Sequence, residues 1–220
     1  MNWERLNIFA SSIDRIRIDP VCYNKQDIIT TIQENYARNP KRNNWDNRSD
    51  LHHAYQDWSI AEFENIDFDQ LQKIYELEIE HCLNQGHYQK PFQYKVEIAN
   101  ITCYGLGQFM NEHDHMQDKT IFSAIHYVKL PENSAPLTFH NPLSMLHYNE
   151  HDNLRFYREL FDPQARENSV FWPKWMMKIQ EDDLVIFPAY LRHSVEAHGI
   201  RDLRMAIVLN INWQGWHDAV

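Results

Sequence analysis

The sequence predicts a mainly β protein with flanking helices, and three observations support this fold class. Before about residue 95, apolar residues recur every three or four positions; from Val96 onward they alternate with a period of about 2. The alternating segments are short and lie between turn residues, which is typical of all-β sandwiches and barrels. The chain has 220 residues, 43% of them hydrophobic, which is enough for one sizeable core.

Two helices are predicted in the N-terminal part. The first covers residues 25–38, between Asn24, a suitable N-cap, and Pro40, which cannot continue a helix. The second covers about 68–85 and is expected to stop at Gly86. Each has an apolar stripe at helical spacing: Ile28, Ile32 and Tyr36 on the first, and Leu71, Tyr75, Ile79, Cys82 and Leu83 on the second.

Five strands are predicted in the remainder: 96–104, 121–130, 136–140, 184–188 and 204–213. The last one has two distinct faces. One is apolar and should pack in the core: Met205, Ile207, Leu209, Ile211 and Trp213. The other mixes small and polar residues: Arg204, Ala206, Val208, Asn210 and Asn212. This second face suits the wall of a polar cavity, although a solvent-facing strand has the same pattern.

These elements predict two regions within one compact domain. Residues 1–95 should form a helical and irregular support region, and residues 96–220 the β core. The core contains an insertion, residues 144–175, that does not alternate and is rich in aromatic side chains: Tyr148, Phe156, Tyr157, Phe171, Trp172 and Trp175. We expect this insertion to be a substrate-facing lid. A hydrophobic flap over a barrel edge is the equally weighted alternative.

Composition limits the partners and the compartment. A net charge of −10 argues against a broad phosphate-binding surface, so no nucleic acid is expected as a partner. Cys22, Cys82 and Cys103 are odd in number and widely spaced, which favours free thiols in a reducing compartment. No signal peptide is evident, and no apolar run approaches the roughly 18 residues of a membrane span. We expect a cytoplasmic protein with no membrane partner.

Three histidines form the most informative pattern of the sequence. His113 and His115 are two residues apart, so on an extended segment both point to the same side. His193 follows the predicted strand 184–188 and could return to the same cavity. Neutral imidazole is a good ligand for iron, and a site with few protein ligands keeps positions open for small molecules. We therefore predict that these three histidines are metal ligands.

The origin of the third ligand stays open at this stage. Iron(II) in oxygenases is usually held by two histidines and one carboxylate, so a carboxylate close to His113 could replace His115 as a ligand. Asp114 is the main alternative, and Glu112 and Asp118 are further ones. Asp114 would point away from the metal on a strictly extended segment, and a bulge would re-aim it. Otherwise it could orient an imidazole from the second coordination sphere.

Three segments, residues 111–128, 183–195 and 201–213, resemble the 2-oxoglutarate- and iron(II)-dependent oxygenases. They are most similar to a branch, also present in phages of cyanobacteria, with an H-x-H motif followed by an S-G-x-Y-Y-like strand. That branch continues with a G-D-x-x-x-F-P-x-x-x-x-H-x-V segment and an R-x-x-x-x-x-N ending. Here the strand at 123–127 reads S-A-I-H-Y, with alanine for glycine and histidine for tyrosine, and Asp182 replaces the glycine.

The resemblance, which covers residues 96–213, implies a double-stranded β-helix (a cupin-like jelly roll) with iron(II) at the barrel mouth. It implies hydroxylation of an unidentified small-molecule or protein substrate, with 2-oxoglutarate and O2 consumed and succinate and CO2 released. Arg204 would bind the distal carboxylate of 2-oxoglutarate, because a guanidinium pairs with it bidentately. Tyr127, Ser123 and Asn210 would be further cosubstrate contacts. The alternative for Arg204 is an ion pair with Asp202.

Two other functions remain open on the same residues. A cupin-type dioxygenase also uses three histidines on a β-barrel but needs no 2-oxoglutarate, which would leave Arg204 without a role. A non-catalytic jelly roll that binds a metal or a sugar is the second alternative. Such a protein would bind iron without an exchangeable position, or would bind no iron.

Overall fold

The computed structural model describes residues 11–43, 48–55, 61–84, 92–116, 119–142 and 174–216. The helices are α1 (Lys25–Arg38) and α2 (Phe68–Asn84), with short 3-10 turns at Pro20–Cys22 and Ala61–Phe63. The strands are β1 (Asp14–Arg17), β2 (His52–Tyr55), β3 (Phe92–Tyr104), β4 (Met110–His113), β5 (Thr120–Lys129), β6 (Leu137–His140), β7 (Lys174–Met177), β8 (Asp183–Pro188), β9 (His193–Val195) and β10 (Arg204–Trp216).

The strands form two antiparallel sheets. The major sheet has the order β1-β8-β5-β10-β3-β2, and the minor sheet has the order β4-β9-β6-β7. Side chains from both sheets meet in one buried apolar cluster, which includes Tyr127, Phe139 and Phe187. This is the two-sheet packing of a jelly roll, so the predicted fold class is confirmed.

The helices cover the other face of the major sheet. Ile32 of α1 and Tyr75 and Ile79 of α2 are fully buried and share a core cluster with apolar residues of the sheet. From β10 that cluster takes Met205, Ile207, Leu209 and Ile211, whereas Ala206 and Val208 belong to the cluster between the sheets. The predicted division of β10 into two faces is therefore confirmed for these residues, because alternate residues of a strand point to opposite sides. Trp213, which was also predicted to pack in the core, is half-buried and is not part of that cluster.

The predicted helices are found at Lys25–Arg38 and Phe68–Asn84, and Gly86 lies outside the described residues. Asn24 occupies the N-cap position of α1, but its side chain donates to Asp27 and makes no capping hydrogen bond with the backbone. The five predicted strands are also present. The structure adds β1 and β2, at the two edges of the major sheet, as well as β4, β7 and β9.

Most of the predicted 144–175 insertion lies outside the described residues; only Lys174 and Trp175 are described. Both belong to β7, and the Trp175 ring stacks on Phe139 with a centroid separation of 6.4 Å. All three cysteines are free. Neither α1 nor α2 is long and apolar enough to cross a bilayer.

A buried polar contact joins the helices to the sheet at His126 of β5. Nδ1 of His126 lies 2.8 Å from the Tyr75 hydroxyl on α2, and Nε2 lies 3.4 Å from the Tyr23 hydroxyl, just before α1. Tyr23 in turn donates to Asp182, which also forms an ion pair with Lys25. The histidine that replaces tyrosine in the S-A-I-H-Y strand therefore connects the two layers.

Candidate metal centre

The minor sheet brings the three predicted histidines together. His113 ends β4 and pairs in register with His193, the first residue of β9. His115 follows β4, and its backbone nitrogen donates to the Ala189 carbonyl at 2.9 Å. Potential ligand atoms of the three side chains lie within 4.8 Å of one another. That spacing allows all three histidines to reach one metal ion.

Backbone carbonyls orient two of the rings. Nδ1 of His113 lies 2.8 Å from the Asn111 carbonyl, and Nδ1 of His193 lies 3.0 Å from the Leu191 carbonyl. Because a carbonyl can only accept, each Nδ1 carries the proton and each Nε2 keeps a lone pair for a metal. Nε2 of His115 is buried and has no hydrogen-bond partner among the described residues. An orphaned buried nitrogen of this kind fits a metal ligand.

Burial keeps the imidazoles of His115 and His193 neutral. It lowers the pKa of His115 to about 4, with a further decrease from the nearby His113. It also lowers the pKa of His193 well below the usual value, and His113 and His115 act in the same direction. Neutral imidazole is the form that binds metals, so the site is ready for a cation at neutral pH.

The carboxylates considered as alternatives do not join the histidine cluster. Asp114 lines the same cavity, but its Oδ1 accepts from the Met116 backbone nitrogen at 3.1 Å, and it is not part of the group of converging ligand atoms. Glu112 pairs with His140 and Arg192. Asp118 lies outside the described residues. Within the described ranges, the geometry thus favours three histidines over two histidines and a carboxylate.

The histidines line a cavity between the two sheets, and the cavity is partly open to solvent. The minor sheet and the two residues that follow β4 contribute Met110, His113, Asp114, His115, Leu137, His193 and Val195. The major sheet contributes His53, Ala99, Asn100, Thr102, Tyr104, Ile125, Arg204, Val208 and Asn210.

Arg204 is a buried cationic side chain in the wall of this cavity. Arg204 is only 2% exposed, and its guanidinium carbon lies 4.8 Å from the ring centroid of Tyr104 and 5.0 Å from the ring centroid of Tyr127. No carboxylate of the described ranges lies within salt-bridge distance of it, so the predicted alternative, an ion pair with Asp202, is absent. Nε of Arg204 has no hydrogen-bond partner there either. A buried charge without a counter-ion indicates a binding site for an anion.

The other predicted cosubstrate contacts occupy different positions. Asn210 lines the cavity, and its Oδ1 has no hydrogen-bond partner among the described side and main chains. Tyr127 is fully buried against Arg204. Ser123 is also fully buried, but it is not part of the cavity wall, and its hydroxyl donates to the Leu209 carbonyl at 3.0 Å. The structure thus brings Arg204 and Asn210 to the cavity wall, whereas Tyr127 contacts Arg204 but, like Ser123, does not line the cavity.

The prediction missed a polar wall made by β2 and β3. His53, Asn100 and Thr102 are all buried and line the cavity. Burial lowers the pKa of His53 to about 4, and the nearby His113 adds to the decrease. A signal for Asn100 and Thr102 was available in the sequence, because both alternate with the apolar residues Ile101 and Cys103. β2 has only four residues, so His53 had no periodic pattern to reveal it.

Comparisons with known families and proteins show what this chain is similar to. The family model described as "Putative 2OG-Fe(II) oxygenase" matches residues 101–210, half of the chain, and contains the three histidines and Arg204. A search of the curated proteins finds no significant match.

Solved structures with this fold include several enzymes. A prolyl-4-hydroxylase from Pseudomonas putida superposes with a TM-score of 0.54 at 13% identity, covering 93% of this chain and 94% of its own. A Trichoplax adhaerens prolyl hydroxylase, in complex with a hypoxia-inducible factor peptide, gives 0.54 at 13%, covering 91% and 83%. The α-ketoglutarate-dependent carbocyclase SnoK of nogalamycin biosynthesis gives 0.55 at 12%, covering 92% and 79%. At these identities the likeness shows the fold alone.

Proposed function

The chain belongs to the 2OG-Fe(II) oxygenase family, and we propose on that premise that it is a 2-oxoglutarate- and iron(II)-dependent dioxygenase. It hydroxylates an organic substrate and releases succinate and CO2. One observation carries the proposal: Arg204, buried and without a carboxylate partner among the described residues, shares one cavity with the three converging histidines. A metal ion held by the histidines and the guanidinium of Arg204 would be two positive positions in one cavity. They match a ligand with a negative charge at each end, as 2-oxoglutarate has.

The histidines fit iron(II) in number, protonation and orientation. His113, His115 and His193 would hold the ion, and iron bound there supplies the oxidation of cosubstrate and substrate by O2. Three protein ligands leave positions open on an octahedral metal for small molecules. The backbone carbonyls of Asn111 and Leu191 fix two of the imidazoles, so little reorganisation is needed on binding.

Arg204 would bind the distal carboxylate of 2-oxoglutarate. Tyr104 and Tyr127 flank its guanidinium and restrict its orientation, which reduces the entropy lost when the anion binds. Both tyrosines stay protonated, since burial raises the pKa of Tyr104 to about 12 and raises that of Tyr127 as well. The Tyr127 hydroxyl, which has no hydrogen-bond partner among the described residues, can therefore donate to the same carboxylate, whereas the Tyr104 hydroxyl donates to Sδ of Met110 at 3.6 Å. Asn210 supplies a further polar contact deeper along β10.

Apolar side chains complete the pocket and limit the access of water. Met110, Leu137 and Val195 come from the minor sheet, and Ile125 and Val208 face them from the major sheet. In this less polar environment the attraction between Arg204 and a carboxylate is stronger than in water. The polar wall of His53, Asn100 and Thr102 remains for the primary substrate, and it favours a substrate with hydrogen-bonding groups.

The three free cysteines suit a reducing compartment such as the cytoplasm.

The test combines spectroscopy and product analysis. Anaerobic protein should bind one iron(II) and show a weak visible charge-transfer band when 2-oxoglutarate is added, and succinate should form under O2. A protein that binds iron but gives neither band nor succinate would refute the proposal. Turnover of O2 that does not depend on 2-oxoglutarate would instead support a cupin-type dioxygenase. Absence of iron binding would support a non-catalytic jelly roll.

A further inference from the structure

A polar cluster lies beside the histidine pair, on three neighbouring strands of the minor sheet. Glu112 of β4 bridges two side chains: Oε2 lies 3.0 Å from Nδ1 of His140, and Oε1 lies 3.0 Å from Nη1 of Arg192. Nε2 of His140, at the end of β6, lies 2.9 Å from the hydroxyl of Ser194 on β9. The His140 backbone nitrogen also donates to the Arg192 carbonyl at 2.8 Å. We call Glu112, His140, Arg192 and Ser194 the bridging cluster.

The members of the bridging cluster adjoin the predicted metal ligands in sequence. Glu112 directly precedes His113, and Arg192 and Ser194 are the two neighbours of His193. His113 and His193 line the cavity, whereas no member of the bridging cluster does so. The cluster therefore connects the two ligand-bearing strands without contacting a molecule in the cavity.

The pairing of these two strands has little other support. β4 and β9 pair at Met110 with Val195 and at His113 with His193, so three steps along β4 match two steps along β9. The extra residue is a β-bulge, and Glu112 lies within it. A bulge interrupts the backbone ladder, and β9 has only three residues. Where the ladder is this short and irregular, side-chain links contribute strongly to the register.

We propose that Glu112 is a positioning residue of the metal centre, which acts by linking β4 to β9 through Arg192 and His140. The inference rests on the proposed function, since it assumes that His113 and His193 bind the metal. The link fixes the separation of the two strands at the point where their imidazoles must meet one ion. When it is broken, β4 and β9 lose their common register. Bringing His113 and His193 to one metal ion then costs free energy, and the affinity for the metal falls.

A simple electrostatic role for Glu112 makes a different prediction. A nearby carboxylate attracts a divalent cation through space, so neutralising Glu112 would weaken metal binding under either explanation. Arg192 separates them. Removing its positive charge should strengthen metal binding if only charge matters, and should weaken it if the link to Glu112 holds the ligands in place.

The experiment measures cobalt(II) and iron(II) affinity by anaerobic titration, with no cosubstrate present. Glu112→Gln and Arg192→Gln should each raise the metal Kd by about two- to fivefold, because a largely exposed ion pair contributes up to about 1 kcal/mol. The double variant should be hardly weaker than either single one, because one substitution already breaks the link. Glu62→Gln is the control, since Glu62 forms an ion pair with Arg42, 2.7 Å long and less exposed than that of Glu112 with Arg192, on other elements of the fold.

Thermal unfolding of the metal-free variants separates positioning from folding. The positioning role requires that their Tm falls no further than that of Glu62→Gln while metal affinity drops. Ser194→Ala removes only a hydroxyl and provides a milder variant, with a smaller loss of affinity expected. Tighter or unchanged metal binding in Arg192→Gln, or a loss of affinity that merely parallels a loss of Tm, would overturn the inference. A wild-type protein that binds neither metal would refute the proposed function itself.

Discussion

His115 stacks on His193 with their ring planes only 4° apart and their centroids separated by 5.1 Å, although His193 pairs in register with His113 and not with His115. The stacked ring stands where a carboxylate is usual in iron oxygenases, and a neutral ligand leaves one more positive charge at the metal. Such a centre should depend more strongly on anionic ligands, which fits a cavity that also holds the unpaired charge of Arg204.

The first prediction concerns the identity of the third ligand. His115→Ala should weaken iron(II) binding by roughly 100-fold or more, beyond the effect of altering a residue that only orients a ligand. Asp114→Asn should change it by less than about tenfold, because the Asp114 carboxylate interacts with the Met116 backbone and lies outside the histidine cluster. Anaerobic titration with iron(II) gives both values. The opposite order would identify Asp114 as the ligand.

The second prediction concerns the anion site. Arg204→Met removes the charge while keeping a long side chain, and two lost charge-assisted hydrogen bonds correspond to about 3 kcal/mol, or roughly 100-fold in affinity for 2-oxoglutarate. Iron(II) affinity without cosubstrate should stay within a few-fold of wild type. Calorimetric titration of the iron-loaded protein gives the first value. Arg201→Met is the control, since Arg201 is exposed; equal effects of Arg204→Met on iron and cosubstrate would make Arg204 structural.

The parts of the fold that the sequence predicted are those with a sustained period. α1 and α2 have three or more turns of apolar spacing, and β10 is long enough for its two faces to be distinguished. β2 and β9, with four and three residues, have no measurable period; β2 forms on the edge offered by the longer β3, and β9 forms by pairing with β4 on one side and β6 on the other. The histidine motif was visible because His113 and His115 are only two residues apart in the sequence. His53 became a cavity residue only through the long-range pairing of β2 with β3.

Asn24 and Ser123 show a second limit of the sequence. Asn24 was expected to cap the backbone of α1, and Ser123 was expected to contact the cosubstrate. In the structure Asn24 donates to Asp27, and Ser123 donates to the Leu209 carbonyl. Small polar side chains have several partners within reach, and the choice among them depends on tertiary distances. Arg204 was predicted from the resemblance, and its guanidinium lies in the wall of the cavity that the three histidines also line.

The third prediction tests close packing next to the anion site. A methyl group on Gly105 would overlap the hydroxyl of Tyr36, so Gly105→Ala should lower the free energy of unfolding by about 1–3 kcal/mol. Tyr36→Phe removes the clashing oxygen, and the double variant should therefore be more stable than the sum of the two single effects predicts. Denaturant unfolding measures all three. Gly199→Ala, which has open space around it, is the control; strict additivity would show that Tyr36 is not the obstacle.

The last prediction is an acid sensitivity that originates at His126. Burial lowers the pKa of His126 to about 3, whereas an unfolded chain restores the usual value near 6.5. Below pH 6.5 the unfolded state therefore binds a proton that the native state does not. The stability of the protein should fall as the pH drops from about 6.5 towards 3, by up to about 1.4 kcal/mol per pH unit from this residue alone.

His126→Gln isolates that contribution. The variant should be less stable at pH 7.5, because Tyr75 and Tyr23 lose part of their hydrogen bonding, which costs about 1–3 kcal/mol. Its stability should nevertheless fall less steeply than that of wild type between pH 6.5 and 4.5, since no buried imidazole remains at this position to resist protonation. Urea unfolding at several pH values measures both slopes, with His81→Gln, an exposed histidine of α2, as the control. Equal slopes for His126→Gln and wild type would mean that the buried contact between β5 and the helices does not govern acid stability.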